Sequence, residues 1–216
     1  VQSDPAALDE LRRLNVPAVP AVAVGERAAH GWNPPAYAAL LGVPYAAAPP
    51  LAPAVLAARL DVILGAAEVL LGQMPDQHMD WKPPERDRTV RDLGYHVFRL
   101  SLAFIEAMDA GQLPKAWLGE TAPPDMRAAR AVASYGALAR ARLTGWFEGT
   151  GTPEYARMLD VYYGPQSGHD LLERTTWHAA QHLRQLYAIA DRLGVTPSLP
   201  LPTDAFRGLP LPDALW

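Results

Sequence analysis

Apolar residues recur every three or four positions in four long stretches, the period of amphipathic helices that bury one face. The first runs over residues 54–71, with Leu56, Leu60, Ile63, Ala67 and Leu70 on one stripe and Gly72 after its end. The second begins at Thr89, where Thr89 and Asp92 form a variant of the capping box. Leu93, His96, Leu100, Ala103 and Ala107 continue one face, Val97 and Phe104 flank it, and Gly111 ends it. The third is expected from Pro124 to Phe147, with Val132, Tyr135, Leu138, Arg142 and Trp146 at helical spacing. The fourth is expected to open at Asp170, capped together with Glu173. Its stripe is Leu171, Thr175, His178, His182, Gln185 and Ile189, with Leu186 and Leu193 adjoining and Gly194 closing it. Four such helices predict a mainly α chain built on a four-helix bundle with long connections.

Ahead of the bundle, residues 1–42 alternate helix and strand signals. ALDELRRL has helical character, AVPAVAV reads as a strand, Gly25-Glu26 as a turn, and Arg27 to Gly31 as a second strand. NPPAYAALLG reads as a helix with Asn33 as cap and Gly42 past its end. Residues 43–53, VPYAAAPPLAP, are a Pro/Ala linker. The bundle then occupies 54–194, and 195–216 form a proline-rich apolar tail expected to lie extended over it. Two connections, MPDQHMDWKPPERDR and GTPEYARMLDVYYGPQSG, are long enough to line a functional site, and the second has room for a short extra helix.

Half of the 216 residues are hydrophobic, and the net charge is −4 with 19 Lys and Arg scattered along the chain. That distribution argues against nucleic-acid binding. There is no cysteine, which excludes disulfides, thiolate metal ligands and a protein-borne thiol nucleophile. No apolar run reaches the ~18 residues of a membrane span, so a soluble cytoplasmic protein is the default expectation. The richness in Ala and Pro suits a GC-rich bacterial genome.

Three histidines on inward stripes change the picture. His178 and His182 are one helical turn apart, and His96 faces them from the second helix. Residues four apart on a helix project from one face, with Cβ atoms ~5–6 Å apart, close enough to ligate one ion. Three neutral imidazoles suit Zn²⁺, Ni²⁺ or Fe²⁺, and three protein ligands leave a position for water or substrate. The alternative is three core histidines satisfied by carbonyls or water. Ala179 stands where a zinc protease helix carries its Glu, which excludes that chemistry. His30 is expected at the surface, and His78 and His169 in solvated loops. Asp92 is read as a helix cap before a partner of the metal site. Gln181 and Gln185 flank the triad, Gln185 the more inward. Tyr162 and Tyr163 either border a pocket or pack. None of these residues is a clear general base.

From about Pro53 to Gly194, WKPPERDRTVRDLGYHVFRL and DLLERTTWHAAQHLRQLYAIADRLG resemble the DinB-like bundle superfamily. The resemblance implies an unusual four-helix bundle and places the family's metal triad on His96, His178 and His182. It further implies a metal-dependent S-transferase acting with a low-molecular-weight thiol such as mycothiol or bacillithiol, or a related hydrolase, on a small-molecule substrate. The alternative is a non-enzymatic, stress-associated metal-binding protein. A second resemblance joins LDELRRLNVPAVPAVAVGERAAHGWNPPAYAALLG to the carboxy-terminal half of a glutaredoxin. It implies a cis-proline at Pro20, a strand at Val22 to Val24 and a Gly-aromatic step at Gly31-Trp32. The first strand, first helix and redox cysteine of that fold have no counterpart, so thiol–disulfide exchange is excluded. Packing or assembly is the preferred role of this truncated thioredoxin-like hairpin plus helix. A two-stranded hairpin is marginal alone, and edge pairing of two copies would make a homodimer.

Overall fold

The computed structural model describes residues 4–17, 21–31, 33–46 and 49–216. They form two compact units, residues 1–50 with 161–165, and residues 51–160 with 166–216.

In the smaller unit, helix α1 (Pro5–Arg13) is capped by Asp4, whose carboxylate accepts from the Ala6 and Ala7 N–H groups at 3.0 and 3.3 Å. Strands β1 (Ala21–Val24) and β2 (Arg27–His30) pair antiparallel, Ala21 opposite His30 and Val24 opposite Arg27. Gly25 takes a φ of 59° in the turn between them. Helix α2 (Pro34–Leu41) starts at Asn33, whose side chain accepts from the Ala36 N–H at 3.1 Å. Gly31, at φ 78°, lies so close to the Tyr163 carbonyl that a Cβ could not be accommodated. His30, expected at the surface, is half-buried, and its Nδ1 has no partner among the described residues. Pro20 and Trp32, the signature positions of the glutaredoxin reading, fall outside the described residues.

The larger unit holds helices α3 (Pro53–Gln73), α4 (Val90–Ala110), α5 (Ala129–Gly149) and α6 (Gly168–Arg192). Both α3 and α4 pack along α5 and α6 and meet one another little, so α3 and α4 occupy one diagonal of the bundle. Phe98 rests on Gly136 and Phe104 on Trp146, so α4 and α5 run the same way. Gly72 lies beside Ala133, so α3 runs against α5. This order explains the long connections. The chain must cross a diagonal between α3 and α4 and again between α5 and α6. Between the parallel neighbours α4 and α5 it must return the length of a 21-residue helix, about 31 Å.

Residues expected inward on α3, α4 and α6 are buried or half-buried as their spacing requires. Helix α5 departs from expectation in two ways. It starts at Ala129 instead of Pro124, and its buried face is Val132, Ala133, Gly136, Ala139 and Leu143. Leu138 is 72% exposed and Arg142 is exposed. Small residues win this face because they let α4 come close: a Cβ on Gly136 would stand 2.6 and 2.7 Å from ring carbons of Phe98. Gly136→Ala should therefore destabilise the protein by about 1–3 kcal/mol through overpacking. Gly145 has open space around its Cβ position, and Gly145→Ala should stabilise by about 0.5–1 kcal/mol. Thermal melts of the two variants, shifting in opposite directions, test the packing.

Helix α6 opens one turn before the expected cap. Ser167 and Asp170 form a reciprocal capping box, so Glu173 plays no part in it. The connection before it holds a 3₁₀ turn (Thr152–Ala156) and a hairpin of β4 (Met158–Val161) and β5 (Gly164–Ser167). Strand β4 lies between β5 and the two-residue β3 (Gln112–Leu113), a small sheet that helical periodicity could not reveal. The tail runs along α3 and α6, extended except for a 3₁₀ turn (Thr203–Phe206) that packs on α3. Tyr187 Oη donates to the Leu199 carbonyl at 2.9 Å, and the Ser198 N–H donates to Gln73 Oε1 at 3.0 Å. Among the described residues, no helix is long and apolar enough to cross a membrane.

Candidate metal centre

His96 projects from the second turn of α4, buried on its apolar stripe. His178 and His182 project from α6 one turn apart. The fold brings all three rings together, with centroids 5.2 Å (His96–His178), 5.1 Å (His96–His182) and 4.3 Å (His178–His182) apart. One ring nitrogen from each lies within 4.8 Å of the others.

The orientation of His182 follows from a chain of hydrogen bonds. Gln185 Nε2 donates to the Leu215 carbonyl at 2.7 Å. A carbonyl can only accept, so the amide is held with Oε1 toward His182 Nδ1, 2.7 Å away. Nδ1 therefore carries the proton and Nε2 presents its lone pair inward. That lone pair lies 3.1 Å from His178 Nε2. Metal–nitrogen bonds of about 2.0–2.1 Å place neighbouring ligand nitrogens roughly 3.0–3.4 Å apart, so His178 and His182 already stand at ligand spacing, with a His96 nitrogen within 4.8 Å of both. Gln181 Nε2 adds bonds to the Ala214 and Leu215 carbonyls at 3.1 and 2.7 Å, and Arg184 holds the Pro212 carbonyl at 2.7 Å. The tail is thus clamped onto the face of α6 that carries the site.

Burial holds all three imidazoles neutral. It lowers His96 from its ordinary value near 6.5 to about 2, with His182, Arg88 and Arg174 adding repulsion. It lowers His178 well below the ordinary value. It lowers His182 to about 4, where the Gln185 hydrogen bond opposes the effect and Arg88 and Arg86 reinforce it. The sign for stability follows. Between pH 6.5 and about 4 the unfolded chain takes up protons on these histidines and the folded chain does not, so stability falls as pH falls. For the metal-free protein each histidine should cost up to about 1.4 kcal/mol per pH unit in that window. Urea melts between pH 7 and 5 on wild type and a His96→Phe variant measure this, the variant losing less on acidification.

A cavity of about 290 Å³ opens beside His182, lined by Pro83, Arg86, Asp87, Arg88, Leu93, Gln185 and Trp216. On the other side, His178 meets only a void of about 10 Å³, walled by Leu100, Ala103, Phe104, Leu113, Leu118 and Leu171 together with Arg174 and Thr175. Access to the histidines is therefore from the His182 side. A larger groove of about 610 Å³ between α3 and α5 contains none of the three, and its Arg140 is already paired with Asp61 and Glu68.

The remaining sequence candidates sort plainly. Asp92 caps α4: its N–H donates to Thr89 Oγ1 at 3.0 Å, and its carboxylate accepts from the Thr89 hydroxyl and the Ala122 N–H at 2.7 and 3.1 Å. His169, expected to be solvated, lies 2.7 Å from the Leu51 carbonyl through Nε2 and ties the start of α6 to the start of the bundle. His78 sits half-buried in a 3₁₀ turn (Asp76–His78). Tyr162 and Tyr163 stack edge to face at the hairpin tip, in the smaller unit. Sequence reasoning missed Arg86, Arg88 and Trp216 as cavity walls. The quoted WKPPERDR segment held the first two, whereas nothing local in sequence ties Trp216 to His182.

No curated protein matches this sequence. Two solved structures from Bacillus subtilis share the fold. One is a DinB-like protein, YjoA, at 15% identity and a TM-score of 0.55, covering 67% of this chain and 95% of that one. The other is YfiT, at 15% identity and a TM-score of 0.53, covering 71% of this chain and 96% of that one. YfiT is described as a probable metal-dependent hydrolase with an unusual four-helix bundle topology. The DinB superfamily model matches residues 59–186, more than half of the sequence and the whole span of the three histidines, and the chain belongs to that superfamily.

Proposed function

We propose that His96, His178 and His182 hold one divalent ion, zinc, nickel or iron, and that the chain is a metal-dependent enzyme acting with a low-molecular-weight thiol or with water. The observation that carries this is the convergence of three neutral ring nitrogens within 4.8 Å, one of them fixed in its tautomer by Gln185. The description of YfiT as a probable metal-dependent hydrolase supports it. When bound, the ion supplies a lowered pKa to a thiol or water in its open position. The chain contributes the rest. Gln185 orients His182, the close packing around His178 shuts one side, and the cavity by His182 admits the reactants. With no cysteine in the sequence, a thiol must arrive from solution.

A non-enzymatic metal-binding role draws on one observation. The sole carboxylate lining the cavity among the described residues, Asp87, is engaged by Lys82 at 2.6 Å, which leaves no evident general base. Turnover separates the two readings. Protein loaded with each metal, and assayed with bacillithiol, mycothiol or water against chlorodinitrobenzene and carboxylic esters, should show metal-dependent product formation. Metal uptake without turnover in any pairing would favour the non-enzymatic role.

A further inference from the structure

The cavity beside His182 has an unusual balance of polar groups. Arg88 projects into it half-buried, and it makes no hydrogen bond or ion pair among the described residues. Arg86, more exposed, lines the same wall and is likewise without an ion-pair partner among them. The Trp216 Nε1–H is buried and finds no acceptor there either, although the Trp216 ring is held by Arg192, 5.4 Å from the ring centroid. The other arginines around this end are occupied. Arg192 is paired with Glu85 at 2.8 and 2.9 Å, Arg184 with tail carbonyls, and Arg91 with Asp80 at 2.7 Å. Asp87 is spent on Lys82. A half-buried guanidinium without an acceptor carries a desolvation cost that a bound anion would remove.

The geometry points to an anion-recognition site: Arg88, with Arg86 on the same wall, receives the carboxylate of a small acidic substrate and holds its other end toward His182 and the histidine cluster. A planar guanidinium offers two parallel donors that match the two oxygens of a carboxylate. Two parallel donors suit a carboxylate monoanion better than a phosphate dianion, whose oxygens would demand more. At about 290 Å³ the cavity lies at the small end of ligand sites, which sets the substrate as a compact acid. The assignment deepens the proposed function by naming its substrate class, and only the placement of the reacting end depends on the metal.

Calorimetric titration of the full-length protein with benzoate, its neutral analogue benzamide, and inorganic phosphate tests this, on zinc-loaded and metal-stripped samples. Benzoate should saturate both samples, with benzamide and phosphate at least tenfold weaker. Arg88→Met should weaken benzoate at least tenfold, with an unchanged melting profile. Equal binding of benzoate and benzamide, a preference for phosphate, no saturation at millimolar benzoate, indifference to Arg88→Met, or binding to the zinc-loaded sample alone would each overturn the assignment. Benzoate binding by a chain that takes up no metal would leave the anion site standing while removing the metal-dependent reading.

Discussion

The His178→Ala chain should purify without bound metal, where the wild type carries close to one divalent ion per chain. His178 contributes one of only three donors, and its removal leaves a two-ligand site open to solvent on the cavity side. Removing a partner that merely orients a ligand typically costs 10–100-fold in affinity, and loss of the ligand itself should exceed that. The effect extends to stability. An ion at 1,000 times its Kd stabilises the folded state by about 4 kcal/mol. In a domain of this size that is on the order of 10 °C in Tm. Wild type should therefore gain this shift on adding zinc, and His178→Ala should gain almost none. The metal-free variant should melt close to metal-free wild type, because a small cavity and relief of a buried polar ring oppose one another. Elemental analysis and paired melts with and without chelator read both quantities. A variant that retains stoichiometric metal, or a wild type that takes up none, would reduce the cluster to three core histidines.

Gln185→Leu should weaken metal binding by 10–100-fold while every ligand remains in place. The amide does two things at once: Oε1 takes the His182 Nδ1 proton at 2.7 Å, and Nε2 donates to the Leu215 carbonyl at 2.7 Å. Leucine fills nearly the same volume but lets His182 adopt either tautomer and frees the tail at that point. Deleting residues 212–216 should have a related consequence, since the carbonyl that fixes the amide's orientation goes with them. If the tail acts through Gln185, the two changes combined should cost little more than Gln185→Leu alone, whereas independent effects would add. Competition titrations against a chromophoric chelator measure all three. Additive losses would show that the tail matters only by covering the site. Gln185→Glu supplies a further contrast: a carboxylate still accepts from Nδ1 but meets the Leu215 carbonyl unfavourably. Metal affinity should hold better than in Gln185→Leu while the tail loosens, visible as faster proteolysis after residue 207.

Much of this was legible before any coordinates. The inward stripes of α3, α4 and α6 are rich in Leu, Ile and Phe, and their period alone oriented those helices and put His96, His178 and His182 on buried faces. Helix α5 was misoriented because its contact face is built from Ala133, Gly136 and Ala139, whose small side chains carry almost no hydrophobic signal. Leu138, the strongest apolar residue nearby, drew the stripe outward and lies 72% exposed. The cap of α6 was placed three residues late because Ser167 ends a hairpin of four-residue strands, too short to show a pattern. Long-range partners were invisible in principle. That Leu215 meets Gln185, or that Arg88 and Trp216 share a cavity, depends on how far the chain travels between them, which no local period encodes.

The sequence by itself determined the helical class, the four bundle helices and the inward placement of the three histidines, because each rests on spacings within a single helix. Only the tertiary structure decided that α3 and α4 lie across a diagonal, that the tail returns to set the tautomer of His182, and that the approach to the histidines is cationic. Those properties arise from side chains far apart in sequence, and only the packing of the whole bundle, where apolar faces are buried against one another, brings them within hydrogen-bonding reach.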